Sequence, residues 1–200
     1  TARYYGGANT FWHPAPIVDI AATSTNGGYW LVASDGAIYS FGTARYYGGA
    51  NTASGSDAMQ PVSGTVTGVL SNRCGSYDAD HYGIDIGTGT ATPPISATAG
   101  GTVIARNYDS GQGNYVYIRH NNGYVSRYLH LSKFADGLAV GQVKARGDVI
   151  GYVGTTGNST GNHLHFEMRK DGTVVNMSSA YKCGQTVTRG QPIPFSFPGI

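Results

Sequence analysis

From Ile17 to Gly172 the sequence is built from short apolar or alternating stretches, most of them closed by glycine or by an Asn-Gly or Asp-Gly pair. "HYGIDIGTG", "GGTVIARNY", "NYVYIRHNN", "GYVSRYLHLS", "GDVIGYVGTTG" and "NHLHFEMRKDG" are the clearest. A period of two sends alternate side chains to opposite faces, which is the pattern of a half-buried strand. Glycine and Asn-Gly supply the positive φ that tight hairpin turns require. Almost nothing carries the 3.6-residue apolar period of a helix. Gly is 31 of 200 residues, Tyr 15, and charged residues only 12%; long runs of the strong helix formers Ala, Leu, Glu and Lys are missing. The expected fold class is all-β, with an antiparallel sheet.

The decapeptide "TARYYGGANT" occurs at 1–10 and again, unchanged, at 43–52, a period of 43 − 1 = 42 residues. Between the copies, "IVDIAATS", "GGYWLVAS" and "DGAIYSFG" read as strands, with Asn26-Gly27-Gly28 and Asp35-Gly36 as turns. A period of ~40–45 residues with about four strands is the arithmetic of a propeller blade. A lone blade cannot bury both faces, so further repeats, another copy or the rest of the chain must cover it. Residues 1–52 are therefore read as a small N-terminal β repeat module, a spacer first and a wall- or sugar-binding module second. Residues 53–65 read as a linker into the first strand of one domain, 53–183. Residues 184–200, "GQTVTRGQPIPFSFPGI", read as a Pro-rich extended tail.

The net charge of +2 is too small to argue for nucleic acid, although mild basicity suits an anionic cell wall. No run of ~18 apolar residues is present, so no helical membrane span is expected. Neither Cys74 nor Cys183 lies in a C-x-x-C pair, which argues against thiolate zinc ligation. In a Gly- and Tyr-rich, charge-poor chain of secreted character, a Cys74–Cys183 disulfide is expected. The chain starts at Thr1 with no initiator Met or signal peptide, and reads as a processed or excised piece.

Chemistry concentrates in the histidines. On a strand, His163, His165 and Glu167 share one face, while Leu164, Phe166 and Met168 share the other and must face the core. His81 and Asp85 form H-x-x-x-D. In one straight strand their Cα atoms would lie ~13 Å apart, too far for a shared ion with ligands at ~2 Å. The chain must therefore bend near Tyr82-Gly83. His130 closes the strand "SRYLHLS", His120 leads into an Asn-Gly turn and reads as ordinary, and His13 lies in the repeat with no partner in view. Five candidates from three segments remain: His81, Asp85, His130, His163 and His165. Three ligands and an open position would make a catalytic zinc, which lowers the pKa of bound water to ~7. Residue types and spacing alone do not say which three bind.

"PVSGTVTGVLSNR", "HYGIDI", "YLHLS" and "RGDVIGYVGTTGNSTGNHLHFEM", in that order over about residues 60–180, resemble the lysostaphin-like zinc endopeptidases, which cut peptidoglycan cross-bridges or stem peptides. The resemblance implies an antiparallel sheet crossed by a substrate groove, with one Zn2+ ion. It implies His81, Asp85 and His165 as zinc ligands, and His130 and His163 as the catalytic pair beside the water. Asn162 stands where the family usually has Pro before the H-x-H. The implied partner is the peptide portion of the bacterial wall, and the implied location is secreted or wall-associated. Two rival functions are a catalytically silent wall-binding or hydrolase-activating protein, as some relatives are, and a peptidase of Gly-rich proteins.

Overall fold

The structure is a computed structural model that describes residues 16–34, 38–44, 58–120, 123–198 and 200. The chain divides into two compact units, Thr1–Ser54 and Gly55–Ile200. Among the described residues there is no α-helix, and every strand pairing is antiparallel.

In the first unit β1 (Ile17–Ala22), β2 (Gly28–Ala33) and β3 (Ile38–Gly42) form a sheet in the order β1-β2-β3. Asn26 takes a φ of 54° in the β1–β2 turn, as Asn tolerates better than most residues. Tyr29 and Phe41 stack across β2 and β3 with ring centroids 5.1 Å apart. The two copies of the decapeptide fall outside the described residues except for Thr43 and Ala44, as do the Asp35-Gly36 turn and His13.

The second unit is a nine-stranded sheet ordered β11-β7-β8-β9-β13-β5-β4-β15, with β14 pairing β13, and a small sheet β10-β12-β6. The long strands are β4 (Gly64–Gly68), β5 (Ile84–Gly89), β7 (Gly101–Asp109), β8 (Gly113–Arg119), β9 (Tyr124–Leu131) and β13 (Asn162–Lys170), all but β4 on stretches marked by alternation. The short ones are β6 (Pro94–Ser96), β10 (Lys133–Phe134), β11 (Val143–Lys144), β12 (Val149–Tyr152), β14 (Thr173–Val174) and β15 (Thr186–Val187). Leu164, Phe166 and Met168 of β13 join Ile84, Ile86, Val116, Ile118 and Tyr128 of neighbouring strands, and Ile95 and Ile150 of the small sheet, in one buried core. The other face of β13 is thereby free to carry His163, His165 and Glu167.

The Pro-rich segment 184–200 runs extended along the domain and packs against it. β15 pairs with β4, Ile193 N–H donates to Ala58 O at 3.0 Å, and Ile193 and Phe197 are buried in the core. Its apolar residues supply the burial, while prolines keep the chain extended without ladder donors. The Cys74–Cys183 disulfide forms, with Cα atoms 5.4 Å apart. It closes a loop across 109 residues, which in the chain-entropy account removes up to ~4.7 kcal/mol of freedom from the unfolded chain.

His120 is buried, contrary to its reading as an ordinary turn residue. Its Nδ1 faces Gly100 O at 2.8 Å and its Nε2 faces Ser126 Oγ at 2.7 Å. The Ser126 and Tyr128 hydroxyls lie 3.0 Å apart, and Thr98 N–H donates to Tyr128 Oη at 2.8 Å. The Gly100 carbonyl can only accept, so Nδ1 carries the proton and the ring is satisfied while neutral. Burial pushes its pKa down to about 4. An unfolded histidine near 6.5 takes up a proton that the native ring refuses. Stability is therefore full above pH ~6.5 and falls as pH drops toward 4, by up to about 3 kcal/mol from this group. Urea unfolding of wild type and His120→Gln at pH 7.5 and 4.5 checks this: the wild type should lose more stability between the two.

Candidate metal centre and active site

The sheet register brings the five candidates to one place. β13 lies between β9 and β5, pairing His165 with Leu129 on one side and with Asp85 on the other. The strand β5 starts only at Ile84, so the chain turns before it and His81 swings back over Asp85. His81 Nε2 then lies 3.0 Å from Asp85 Oδ2, and His165 Nδ1 lies 2.8 Å from Asp85 Oδ1. His163 Nε2 is 3.6 Å from the same Oδ1. His130 and His163 have ring centroids 4.8 Å apart, and His130 and His165 6.1 Å.

Backbone carbonyls set the orientation of three rings. His81 Nδ1 faces Val69 O at 2.6 Å, His130 Nδ1 faces Thr156 O at 2.9 Å, and His163 Nδ1 faces Gly161 O at 2.8 Å. A carbonyl only accepts, so in each neutral ring Nδ1 holds the proton and Nε2 presents a lone pair. His165 is turned the other way: its Nε2 faces Glu167 Oε1 at 3.4 Å, and its Nδ1 faces inward. His130 holds a φ of 66° at the end of β9. That left-handed backbone is costly for a residue with a Cβ, on the order of 1–2 kcal/mol; it breaks the strand alternation at this ring.

Two glycines make room. A Cβ on Gly83 would lie 2.5 Å from Phe166 O and 2.7 Å from His165 Nε2. A Cβ on Gly68 would lie 2.8 Å from Asp85 Oδ2 and 3.0 Å from His81 Cε1. Glycine in "HYGIDI" is thus needed for close approach of the His165 ring. Gly83→Ala is expected to displace that ring, weaken metal binding at least about tenfold, and cost ~1–3 kcal/mol of stability. Chelator-competition titration and thermal melting read both effects.

The donor set suits a divalent cation. One atom each from His81, Asp85 and His165 lies within 4.8 Å of the others, and all three residues are buried. Tetrahedral ligands ~2.1 Å from a common centre sit ~3.4 Å apart, so small adjustments suffice. His81 Nε2 is buried without a hydrogen bond although a carboxylate oxygen stands 3.0 Å away. A nitrogen lone pair beside a carboxylate is repulsive unless a proton or a metal cation lies between them, so the pair is built to share one.

Electrostatics agree. Burial would raise the Asp85 carboxyl, but His165 and His81 outweigh it and hold it far below the usual carboxylate range. Burial disfavours a charged His165, yet Asp85 and Glu167 outweigh burial and push it up to about 9. A proton on His165 thus balances the buried carboxylates where a metal ion otherwise would. Burial pushes His130 down to about 4 against the pull of the Thr156 carbonyl, so its ring is neutral at pH 7.

Arg73, Arg127 and Arg169 had no signal in the sequence. Arg73 Nη1 lies 3.4 Å from Asp85 Oδ2, while Arg127 and Arg169 meet Glu167. Glu167 itself was placed on the histidine face by alternation, without a role.

Residues 79–177 match peptidase family M23. The peptidoglycan DD-endopeptidase ShyA of Vibrio cholerae is 43% identical over 102 residues, covering 51% of this chain and 23% of that protein. The chain spans between 20% and 26% of the length of the curated relatives it matches. Among solved structures, a zinc-containing peptidase from Vibrio cholerae aligns over 74% of this chain and 45% of that one, at 29% identity and a TM-score of 0.52. A mutant catalytic domain of the prophage-encoded M23 protein EnpA from Enterococcus faecalis aligns over 56% of this chain and 87% of that one. Its identity is 33% and its TM-score 0.50. With the strand order, the buried His/Asp/His cluster and these matches together, the chain belongs to peptidase family M23.

Proposed function

We propose that the unit Gly55–Ile200 is a zinc-dependent endopeptidase acting on peptide bonds of peptidoglycan stem peptides or cross-bridges. In this reading His81 Nε2, an Asp85 oxygen and His165 Nδ1 hold one Zn2+ ion, and His130 and His163 are the catalytic pair. The observation that carries it is the convergence of all five side chains with four ring nitrogens turned inward. The mixed imidazole and carboxylate donors suit zinc, and the ShyA relative named as a peptidoglycan DD-endopeptidase supports the substrate class.

The ion would supply Lewis acidity toward the scissile carbonyl and make water acidic enough to attack at neutral pH. The protein supplies the proton handling. His130 is neutral at pH 7 and its Nε2 is free to accept the proton that the attacking water loses. Its Nδ1–H stays on Thr156 O throughout, which keeps the ring from turning. Once protonated, Nε2 is the acid that delivers the proton to the leaving amine. His163, 4.8 Å away ring to ring, is the second inward Nε2 and would face the oxygen on which charge develops.

Residues 1–52 are read as an accessory β repeat module, 53–183 as the enzyme domain, and 184–200 as a segment laced onto it. The substrate places the protein outside the cytoplasm or at the wall, and a disulfide suits that compartment. The test is incubation of the protein with purified wall fragments and with a Gly-rich protein, each with and without chelator, with new termini read by mass spectrometry. Chelator-sensitive cleavage of wall peptides is expected. Products only from the Gly-rich protein would move the substrate class, and no product in either would favour a wall-binding role.

A further inference from the structure

Glu167 is a buried carboxylate, 4% exposed, that the proposed chemistry does not use. Oε1 faces His165 Nε2 at 3.4 Å, while Oε2 takes Arg169 Nε at 2.7 Å and Arg127 Nη1 at 3.5 Å. Arg127 stands directly opposite Glu167 in the β13–β9 register. Its guanidinium lies over the Tyr117 ring, 4.4 Å from the centroid, and Arg169 also donates to Gly172 O at 3.3 Å. Both arginines are thus anchored on their far sides, and together they fix where the carboxylate sits.

The four rings differ in which nitrogen they turn inward. His81, His130 and His163 each have Nδ1 on a backbone carbonyl and turn Nε2 inward. His165 alone among the five candidates turns Nδ1 inward, so a different acceptor must hold its Nε2–H. Among the described residues no backbone carbonyl bonds that nitrogen; Glu167 is its hydrogen-bond partner. The space beside Nε2 is tight: a Cβ added at Gly83 would come within 2.7 Å of it.

We propose that Glu167 is a positioning residue that accepts the Nε2–H of His165, fixes the tautomer and ring plane that aim Nδ1 at the metal, and is itself held by Arg127 and Arg169. The proposal rests on the ligand assignment under Proposed function. At 3.4 Å the contact is long for a neutral hydrogen bond, and the negative charge of the acceptor supplies much of its strength. Outer carboxylates of this kind raise ligand basicity, and their loss costs ~10–100-fold in metal affinity.

The test compares zinc affinity, by chelator competition, and the visible spectrum of the cobalt-loaded protein for wild type, Glu167→Gln, Glu167→Ala and His165→Ala, all as full chains. Glu167→Ala is expected to bind zinc ~10–100-fold more weakly with a shifted cobalt spectrum. Glu167→Gln keeps an acceptor oxygen without the charge, so it should recover part of that loss and keep a near-native spectrum. Wild-type zinc affinity and an unchanged spectrum in Glu167→Ala overturn the proposal. If Glu167→Ala does not fold, Glu167→Gln decides alone: weaker zinc binding supports the proposal, and unchanged binding overturns it. Zinc retained by His165→Ala would instead bring down the ligand assignment, a different failure.

Discussion

His165→Ala is expected to abolish stoichiometric zinc binding and to lower peptidase turnover by about a thousandfold or more, since losing the ion removes several kcal/mol of transition-state stabilisation. The loss should not be rescued by moderate excess zinc, because Asp85 and His81 alone leave two protein ligands. The fold should survive. His165 lies on the face of β13 opposite the core residues Leu164, Phe166 and Met168, so the apolar core is untouched; the variant loses some stability because Asp85 and Glu167 lose a buried partner. Metal analysis with circular dichroism separates the two: an unfolded variant would make the metal loss uninformative, and zinc retained at one per chain would show that His165 is not a ligand.

His130→Ala should produce the opposite pattern: one zinc per chain, an intact fold, and turnover reduced by ~10²–10⁴, the range for a lost general acid–base group. The His130 ring is 6.1 Å from His165 and contributes no atom to the buried donor triplet, so the metal has no need of it. Relief of the positive φ at position 130 is small, because alanine still has a Cβ. The measurement is zinc content together with initial rates on wall peptides. Normal turnover would remove His130 from the catalytic pair; zinc loss would mean that it ligates.

The sheet was legible because period-two alternation is a local signal, and β5, β7, β8, β9, β12 and β13 all lie on stretches marked by it. The face assignment of β13 followed from the same arithmetic: Leu164, Phe166 and Met168 face the core. The bend required between His81 and Asp85 was also legible, because a straight strand could not bring them together. What stayed hidden depends on register between segments distant in sequence. β13 lies between β5, about 80 residues earlier, and β9, and only that pairing sets Arg127 against Glu167. The close approach at Gly83 and the buried setting of His120 likewise appear only when distant strands meet. The packing of the extended C-terminal segment was not legible, because the burial of Ile193 and Phe197 depends on distant core residues they meet only in the fold.

Crystals of the zinc-loaded protein measured at the zinc absorption edge decide the ligand set. One anomalous peak per chain is expected, ~2.0–2.2 Å from His81 Nε2, an Asp85 oxygen and His165 Nδ1, with His130 Nε2 and His163 Nε2 facing it beyond bonding distance. A peak bonded to His130 or His163, or no peak at these residues, would contradict that assignment.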